Sequence, residues 1–471
     1  MSRPNILLIL SDDHGWGDRS SKRTEAHGLP ISTPNLDRLA AEGTTLDEGY
    51  VTAPICSPSR AGLISGRHQA RWGAQWFDSA AFPPDGASLP EQLGRSGYTT
   101  GYFGKVHYGS GDDPGARPCP PEHGFDETLY ILSKFHLGRA NYLHRGTEAV
   151  ARYGEAAGVM GVGTLWDGDQ QVAPEGFLTD IWADRAETFI ADHAGDDDPF
   201  FCMVAFNAVH NFCWQLPAEE LRKRGLPTAA DWDPSVQPYT EWYDDVIHPN
   251  LEHGREYYLA QLELMDAAIG RLLDRLDAEG VADDTLVVYL TDNGGSTCNY
   301  GDNGPLRGTK YTLWEGGVRV PYIVRWPGGG VPAGQVRDGL ASSLDLVPTL
   351  VGAAGGEPDQ TDGRDLLPLL SGDGSGHDEL NWVTGFQWSI RRGPWKLYWC
   401  DAADEATRAI AATEHAPFGD GYWLSDLSSD VGETRNLAGE RPEVLADLIT
   451  HHERWRHDVA GQTDWRAAAV G

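Results

Sequence analysis

Only six of the 471 residues are cysteine, and none stands in a Cys-x-x-Cys pair or at a zinc-finger spacing. Cys56, Cys119, Cys202, Cys213, Cys298 and Cys400 are scattered widely, which argues against a small disulfide-stapled scaffold. Cys202 lies in an apolar run and reads as a small buried hydrophobe. Basic residues are also scarce: 37 Lys and Arg stand against 70 Asp and Glu, a formal net charge of −33. A surface of that sign repels phosphate backbones and anionic bilayers, so nucleic acid and acidic membranes are excluded as partners. The same field opposes a polyanionic substrate unless the site itself is locally basic. No run reaches 18 apolar residues, so nothing is expected to span a membrane. The apolar run nearest the start, 6–10, is too short for a secretion signal and runs into Asp12-Asp13. The expected location is therefore cytoplasmic. Internal repeats are absent.

Turn formers, by contrast, are plentiful, with 57 Gly and 29 Pro, and they imply many loops. The chain is 40% hydrophobic and long enough for one large core and a smaller domain. Seventeen Trp are more than packing usually needs. Most read as core, and some as walls of a cleft for rings or sugars.

Residues 5–10 read as a buried parallel strand, 35–42 as a helix, and 59–66 as a second helix opening after Pro58. The pattern continues with a helix over 89–94, a strand over 98–103, a helix within 177–193 and a strand over 200–206. Residues 256–279 carry the clearest helical period, from Leu259 to Leu276, with Gly280 as the stop. A strand over 285–290, an apolar segment over 318–326 and a helix from 344 follow. Pro321 marks that segment as edge-like. Residues 109–123, 138–176 and 214–250 read as loops, the last two over the active face. Alternating strands and helices predict an α/β fold with a large, mostly parallel sheet through about residue 350. After the Ser/Gly/Asp-rich stretch at 371–380 come short strands over 383–391, 395–399 and 422–424 and a helix over 442–459. The predicted domains are therefore 1–375, catalytic, and 376–471, a small domain of antiparallel strands with a helix.

In parallel sheets functional side chains gather at the C-terminal ends of strands. Asp12-Asp13 follow the first strand and Asp292-Asn293 a later one. Either pair alone is explained equally well as a solvated turn. Together, after two buried strands, they offer oxygen ligands for a hard cation. Cys56 precedes a helix start, where backbone N–H groups favour anions, and Arg60 lies one turn further on. Taken alone, Cys56 reads as a reactive thiol or an inert one. A thiolate would be a poor ligand beside a hard metal. Lys105, His107, His210 and Lys310 recur after the strands and could neutralise a tetrahedral oxyanion and protonate its leaving oxygen.

The run Cys56-Ser57-Pro58-Ser59-Arg60, followed by Ala61-Gly62-Leu63, matches the Cys-x-Pro-x-Arg maturation signature of the formylglycine-dependent type I sulfatases, in the alkaline-phosphatase superfamily. Further blocks resemble that family nearly end to end: Pro4-Asn5-Ile6 through Asp13, Gly104-Lys105-Val106-His107, Thr291-Asp292-Asn293-Gly294, Arg307-Gly308-Thr309-Lys310 with Glu315 to Arg319, and Trp423 to Leu427 with Glu433. The resemblance implies a sulfuric ester hydrolase acting on a carbohydrate or aryl sulfate. Cys56 would be oxidised to formylglycine by a formylglycine-generating enzyme. Asp12, Asp13, Asp292, Asn293 and modified Cys56 would bind Ca²⁺, with Mg²⁺ as second choice. Arg60 would hold the formylglycine hydrate, Lys105 and Lys310 the sulfate. His107 would take the proton that lets the covalent intermediate collapse, and His210 would assist the leaving oxygen.

One departure stands out. Family members commonly follow that last histidine with a small residue and a proline, whereas here Asn211-Phe212-Cys213-Trp214 follow His210. Trp214 is therefore expected in the substrate pocket wall, with Trp232 and Trp242. His136, Tyr142 and His144 are the candidates for the remaining substrate contacts. The rival reading is a phosphonate or phosphate ester hydrolase of the same superfamily, and a second is a non-catalytic protein on the same scaffold. The complete set of chemical residues speaks against the latter.

Overall fold

The first apolar run forms the strand Asn5–Ser11, and its side chains alternate between two interiors. Ile6, Leu8 and Leu10 enter one core, while Leu7 and Ile9 enter the other. A strand buried on both faces must be hydrophobic throughout, which is why this one reads as an unbroken run. The computed structural model describes residues 3–460 apart from 78, 109–114, 132–164, 173, 175, 211, 229–234, 239–240, 242–250 and 414–415.

Asn5–Ser11 lies at the middle of a ten-stranded sheet. Thr285–Thr291 pairs on one side; on the other come Phe200–Ala205, Thr99–Lys105 and Glu127–Ile131, all parallel. The remaining strands make the sheet mixed. Tyr322–Arg325 runs antiparallel to Thr285–Thr291, then Thr44–Leu46 and Gln335–Arg337 complete that side. The hairpin Leu165–Asp167 and Gln170–Val172 closes the other. The helices Leu178–His193 and Gly254–Ala278 cover one face and share its core. The helices Leu89–Arg95 and Leu346–Ala353 lie on the opposite face.

Several elements differ from the sequence reading. Tyr322–Arg325 is an interior strand, because Pro321 precedes it and its missing N–H falls outside the ladder. The helix after the maturation-like motif is Cys56–Ser65, so it begins at Cys56 and not beyond Pro58, which sits in its first turn. Lys105 is the last residue of its strand rather than part of the following loop. The hairpin at 165–172 and the helix Ala218–Arg224 fall in stretches read as loop, where short length hid the period.

A four-stranded antiparallel sheet follows, Glu379–Val383, Gln387–Arg392, Trp395–Cys400 and Gly421–Asp426. Its first strand was not foreseen, because 371–380 reads as a connection and the expected strand begins at Val383. The helix Pro442–Ala460 packs on one face through Leu448 and Val459. Trp382 and Tyr398 meet Tyr50, Trp314 and Val318 of the large body, with the Trp314 and Tyr398 rings stacked at 3.9 Å. No described helix is long and apolar enough to cross a membrane.

Candidate active site

Strand register brings the chemical residues to one edge. Leu10 is level with Ala205 and with Leu290, and Ser11 with Thr291. Asp12 and Asp292 therefore leave adjacent parallel strands at the same height. Backbone bonds fix them there: Asp292 N–H donates to Ser11 O at 3.2 Å, and Asp12 N–H to Ala208 O at 2.9 Å. The turn at Asp13 is left-handed, φ 57°, so that successive carboxylates converge on one point instead of diverging.

Cys56 occupies the first turn of its helix and is buried. Its thiol donates to Asp12 Oδ1 at 3.4 Å and lies 3.9 Å from Asp13 Oδ1. Lys310 Nζ reaches Cys56 Sγ at 3.2 Å, Asp13 Oδ1 at 2.8 Å and His210 Nε2 at 2.9 Å. Lys105 Nζ is bonded to Asp12. The Arg60 guanidinium donates to Asp292 Oδ2 at 2.7 Å and to the Lys105 carbonyl at 2.8 Å, and meets Asp12 Oδ2 at 3.4 Å. Arg60 thus clamps two metal-candidate carboxylates; its hydrogen bonds go to them and to the Lys105 carbonyl. His107 lies two residues past Lys105, half-buried, with φ 56°.

Ligand atoms of Asp12, Asp13, Cys56 and His210 all lie within 4.8 Å of one another. Asp292 stands beside this group with its oxygens engaged by Arg60 and by Asp13 N–H at 3.3 Å. Asn293 donates its Nδ2 to Asp13 Oδ1 at 2.6 Å, while its Oδ1 is buried without a donor. A bare buried oxygen beside clustered carboxylates fits a hard cation well. The charge count agrees. Asp12, Asp13 and Asp292 are balanced by Arg60, Lys105 and Lys310, so a divalent cation would leave about two positive charges for an anionic ester. With such a cation the site would be locally basic inside a protein of net charge −33.

Burial pushes the Cys56 thiol well above its ordinary pKa, and Asp12 and Asp292 add to this against Lys105 and Lys310. An unmodified Cys56 is therefore a neutral thiol and a weak nucleophile. Burial alone would lower Lys310, but Asp13 and the other nearby groups outweigh it and keep the ammonium charged.

His136, Tyr142 and His144 fall outside the described residues. Trp214 is buried, 1% exposed, and its ring meets Phe212 edge-on at 5.0 Å, so it presents no open face to solvent; Trp232 and Trp242 lie outside the described residues. A tryptophan-rich segment gives no sign in sequence of which rings face inward. The structure instead sets a different aromatic group beside the site. Tyr311, next to Lys310, contacts Phe77 and Trp76 at ring-centroid distances of 6.2 and 6.3 Å. Phe77 is 40% exposed, among the few large hydrophobic residues that are. Asn299 is a further residue missed from sequence, since no motif marks it; its Nδ2 is bonded to Asp13.

Comparison with known proteins agrees with this geometry. The Sulfatase family model matches residues 4–356. Human arylsulfatase A is 33% identical over 94% of this chain and 86% of its own length. Mouse N-acetylgalactosamine-6-sulfatase is 32% identical over 78% of this chain and 66% of its own. The crystal structure of Ps i-CgsB in complex with k-i-k-neocarrahexaose superposes with a TM-score of 0.80 at 25% identity, covering 99% of this chain and 97% of that one. The chain belongs to the sulfatase family and is a hydrolase of sulfate esters on the alkaline-phosphatase fold.

Proposed function

We propose that this protein hydrolyses the sulfate monoester of a small carbohydrate, with Cys56 matured to formylglycine and Ca²⁺ held by Asp12, Asp13, Asp292 and Asn293. The observation that carries the reading is the convergence of Cys56, Asp12, Asp13, His210 and Lys310 in one buried cluster. Formylglycine would supply a hydrated aldehyde as nucleophile, and Ca²⁺ a fixed positive charge beside it. The chain's own residues do the rest. Lys105 and Lys310 bring two ammonium groups to where the sulfate oxygens sit and stabilise the charge that grows on them. Arg60, held by Asp292 and the Lys105 carbonyl, keeps the carboxylates and the first helical turn in register. His210 Nε2, which accepts from the Lys310 ammonium at 2.9 Å, would assist the departing alcohol oxygen by relaying a proton supplied by Lys310. His107 is the group to accept a proton from residue 56 when sulfate is released.

Two observations favour a small sugar over a long polyanion. The net charge of −33 opposes the approach of a highly sulfated chain. The Tyr311 ring adjoins Lys310 and carries Phe77 and Trp76 against it, a group on which the C–H face of a pyranose could stack. Maturation needs a formylglycine-generating enzyme as partner. The test is kcat/KM for a sulfated monosaccharide, its parent polymer, nitrophenyl sulfate and nitrophenyl phosphate. The monosaccharide should exceed the polymer per sulfate, and the sulfate ester should exceed the phosphate. A better phosphate ester would instead establish the rival hydrolase. Superfamily phosphatases typically need a second metal, and among the described residues one metal-capable cluster of His, Cys, Asp and Glu is found.

A further inference from the structure

Asp13 is gripped from two sides by amides. Asn293 Nδ2 donates to its Oδ1 and Asn299 Nδ2 to its Oδ2. The two asparagines repeat one pattern. Each is buried, each donates from its amide to the same carboxylate (Asn293 also to Gly294 O at 2.9 Å), and each leaves its own Oδ1 buried with no donor. Asn293 follows Asp292 directly, in the run already read as a cation site. Asn299 comes from the single turn Thr297–Asn299, and neither its spacing nor its neighbours mark it in the sequence.

That turn is rigidly held. Asn299 N–H donates to Ser296 O at 3.0 Å, and Thr297 N–H to Thr309 Oγ1 at 2.9 Å. Thr309 in turn donates to Gly295 O at 2.8 Å, and Lys310 N–H to the same carbonyl at 3.1 Å. The loop bearing Asn299 is thus tied to the loop bearing Lys310. These ties fix the backbone that carries the side chain, and its amide is held by Asp13. A buried amide oxygen normally finds a donor, and what sets these two apart is that both belong to residues bonded to one carboxylate. A hard cation takes neutral amide oxygens readily alongside carboxylates.

Building on the cation site proposed above, we infer that Asn299 is an additional positioning residue of that site: its Nδ2 sets Asp13, and its Oδ1 is an oxygen donor held for the cation or for a water bound to it. The site then draws on three loops, after Ser11, after Thr291 and at 297–299, which makes its affinity depend on a residue outside the recognised pairs.

The experiment is a chelator-competition titration of the full-length protein with Ca²⁺, on wild type and Asn299→Ala, with melting curves in EGTA and in Ca²⁺. N299A is expected to bind Ca²⁺ about tenfold or more weakly. Its melting temperature in EGTA should match wild type, while the rise on adding Ca²⁺ should shrink. A merely structural role would lower the EGTA value and spare the affinity. Equal Ca²⁺ affinity in wild type and N299A would refute the part given to Asn299 and leave the site itself standing. If wild type takes up no Ca²⁺ or Mg²⁺, the cation site is refuted, and Asn299's part with it. Should N299A not fold, Asn299→Ser replaces it and is judged by the same tenfold criterion.

Discussion

At the scale of single residues, Cys56 shows why this chemistry needs a modified side chain. Its thiol is buried, with Asp12 and Asp292 nearby, so the charged form is disfavoured. Peptide mass spectrometry of active protein is expected to find an aldehyde or its hydrate at position 56. Fully active protein carrying only a thiol there would contradict the proposal. Cys56→Ala should reduce turnover to background without unfolding the chain. Lys310 touches Asp13, Cys56 and His210 together. Lys310→Met should therefore lower kcat/KM for nitrophenyl sulfate about a hundredfold or more, the range seen when one preorganised charge donor is removed. A loss under about threefold would exclude Lys310 from the reacting centre.

At the scale of elements, the loop after Thr285–Thr291 owes its path to a missing side chain. A Cβ on Gly294 would sit 1.9 Å from Gly316 O, and Gly294 N–H bonds Gly317 O at 3.0 Å. No rotamer change relieves a clash with backbone, so the Asp292-Asn293 loop would have to move. Gly294→Ala is expected to weaken Ca²⁺ binding and to cost about 3 kcal/mol or more of stability, read by urea unfolding. A second element is capped from a distance. The helix Pro34–Glu42 has no cap from Thr33; Asp266 of the long helix receives Asn35 N–H at 3.0 Å and Leu36 N–H at 2.8 Å. Asp266→Ala should destabilise by about 1–3 kcal/mol, because it orphans buried donors as well as removing a cap. Activity per folded molecule should stay unchanged, which separates this effect from damage to the site.

At the scale of the whole molecule, the large body and the C-terminal sheet are joined through buried charge. Lys396 of the small sheet bonds Glu315 at 2.8 Å, and Tyr50 and Arg319 reach the same carboxylate. Glu433 accepts from Glu315 N–H at 2.7 Å. Burial would raise Glu315, but Lys396 and Arg319 outweigh it and hold it well below the ordinary range. Burial pushes Glu433 up from 4.5 to about 7, against the pull of Lys396, with Glu315 adding to the rise. A carboxyl raised on folding binds its proton more tightly in the native state, so stability should increase as pH falls from about 7 towards 4.5. The gain is on the order of 3 kcal/mol by linkage. Glu315 acts oppositely and only below 4.5, where its protonation removes stability. Melting temperature should thus climb on acidification from pH 8 to about 5 and then fall. Glu433→Gln, which keeps the acceptor but not the charge, should flatten the upper limb; an unchanged profile would show that Glu433 does not titrate there.

The sequence alone determined the alternation of strands and helices, because strands buried on two faces must be continuous apolar runs and the long helix must repeat at three and four. It also determined the chemical blocks, since Asp12-Asp13, Cys56 to Arg60, Lys105, His210, Asp292-Asn293 and Lys310 carry their spacing in the chain. Contacts across long sequence separations leave no such local trace. That Arg60 clamps Asp292 and Asp12, that Trp214 is packed away while Phe77 is exposed, and that Asn299 bonds Asp13 were decided by strand register and loop packing. The meeting of Glu315 with Lys396 and Glu433 belongs to the same class: the desolvation that shifts their pKa values exists only once the two sheets have closed on one another.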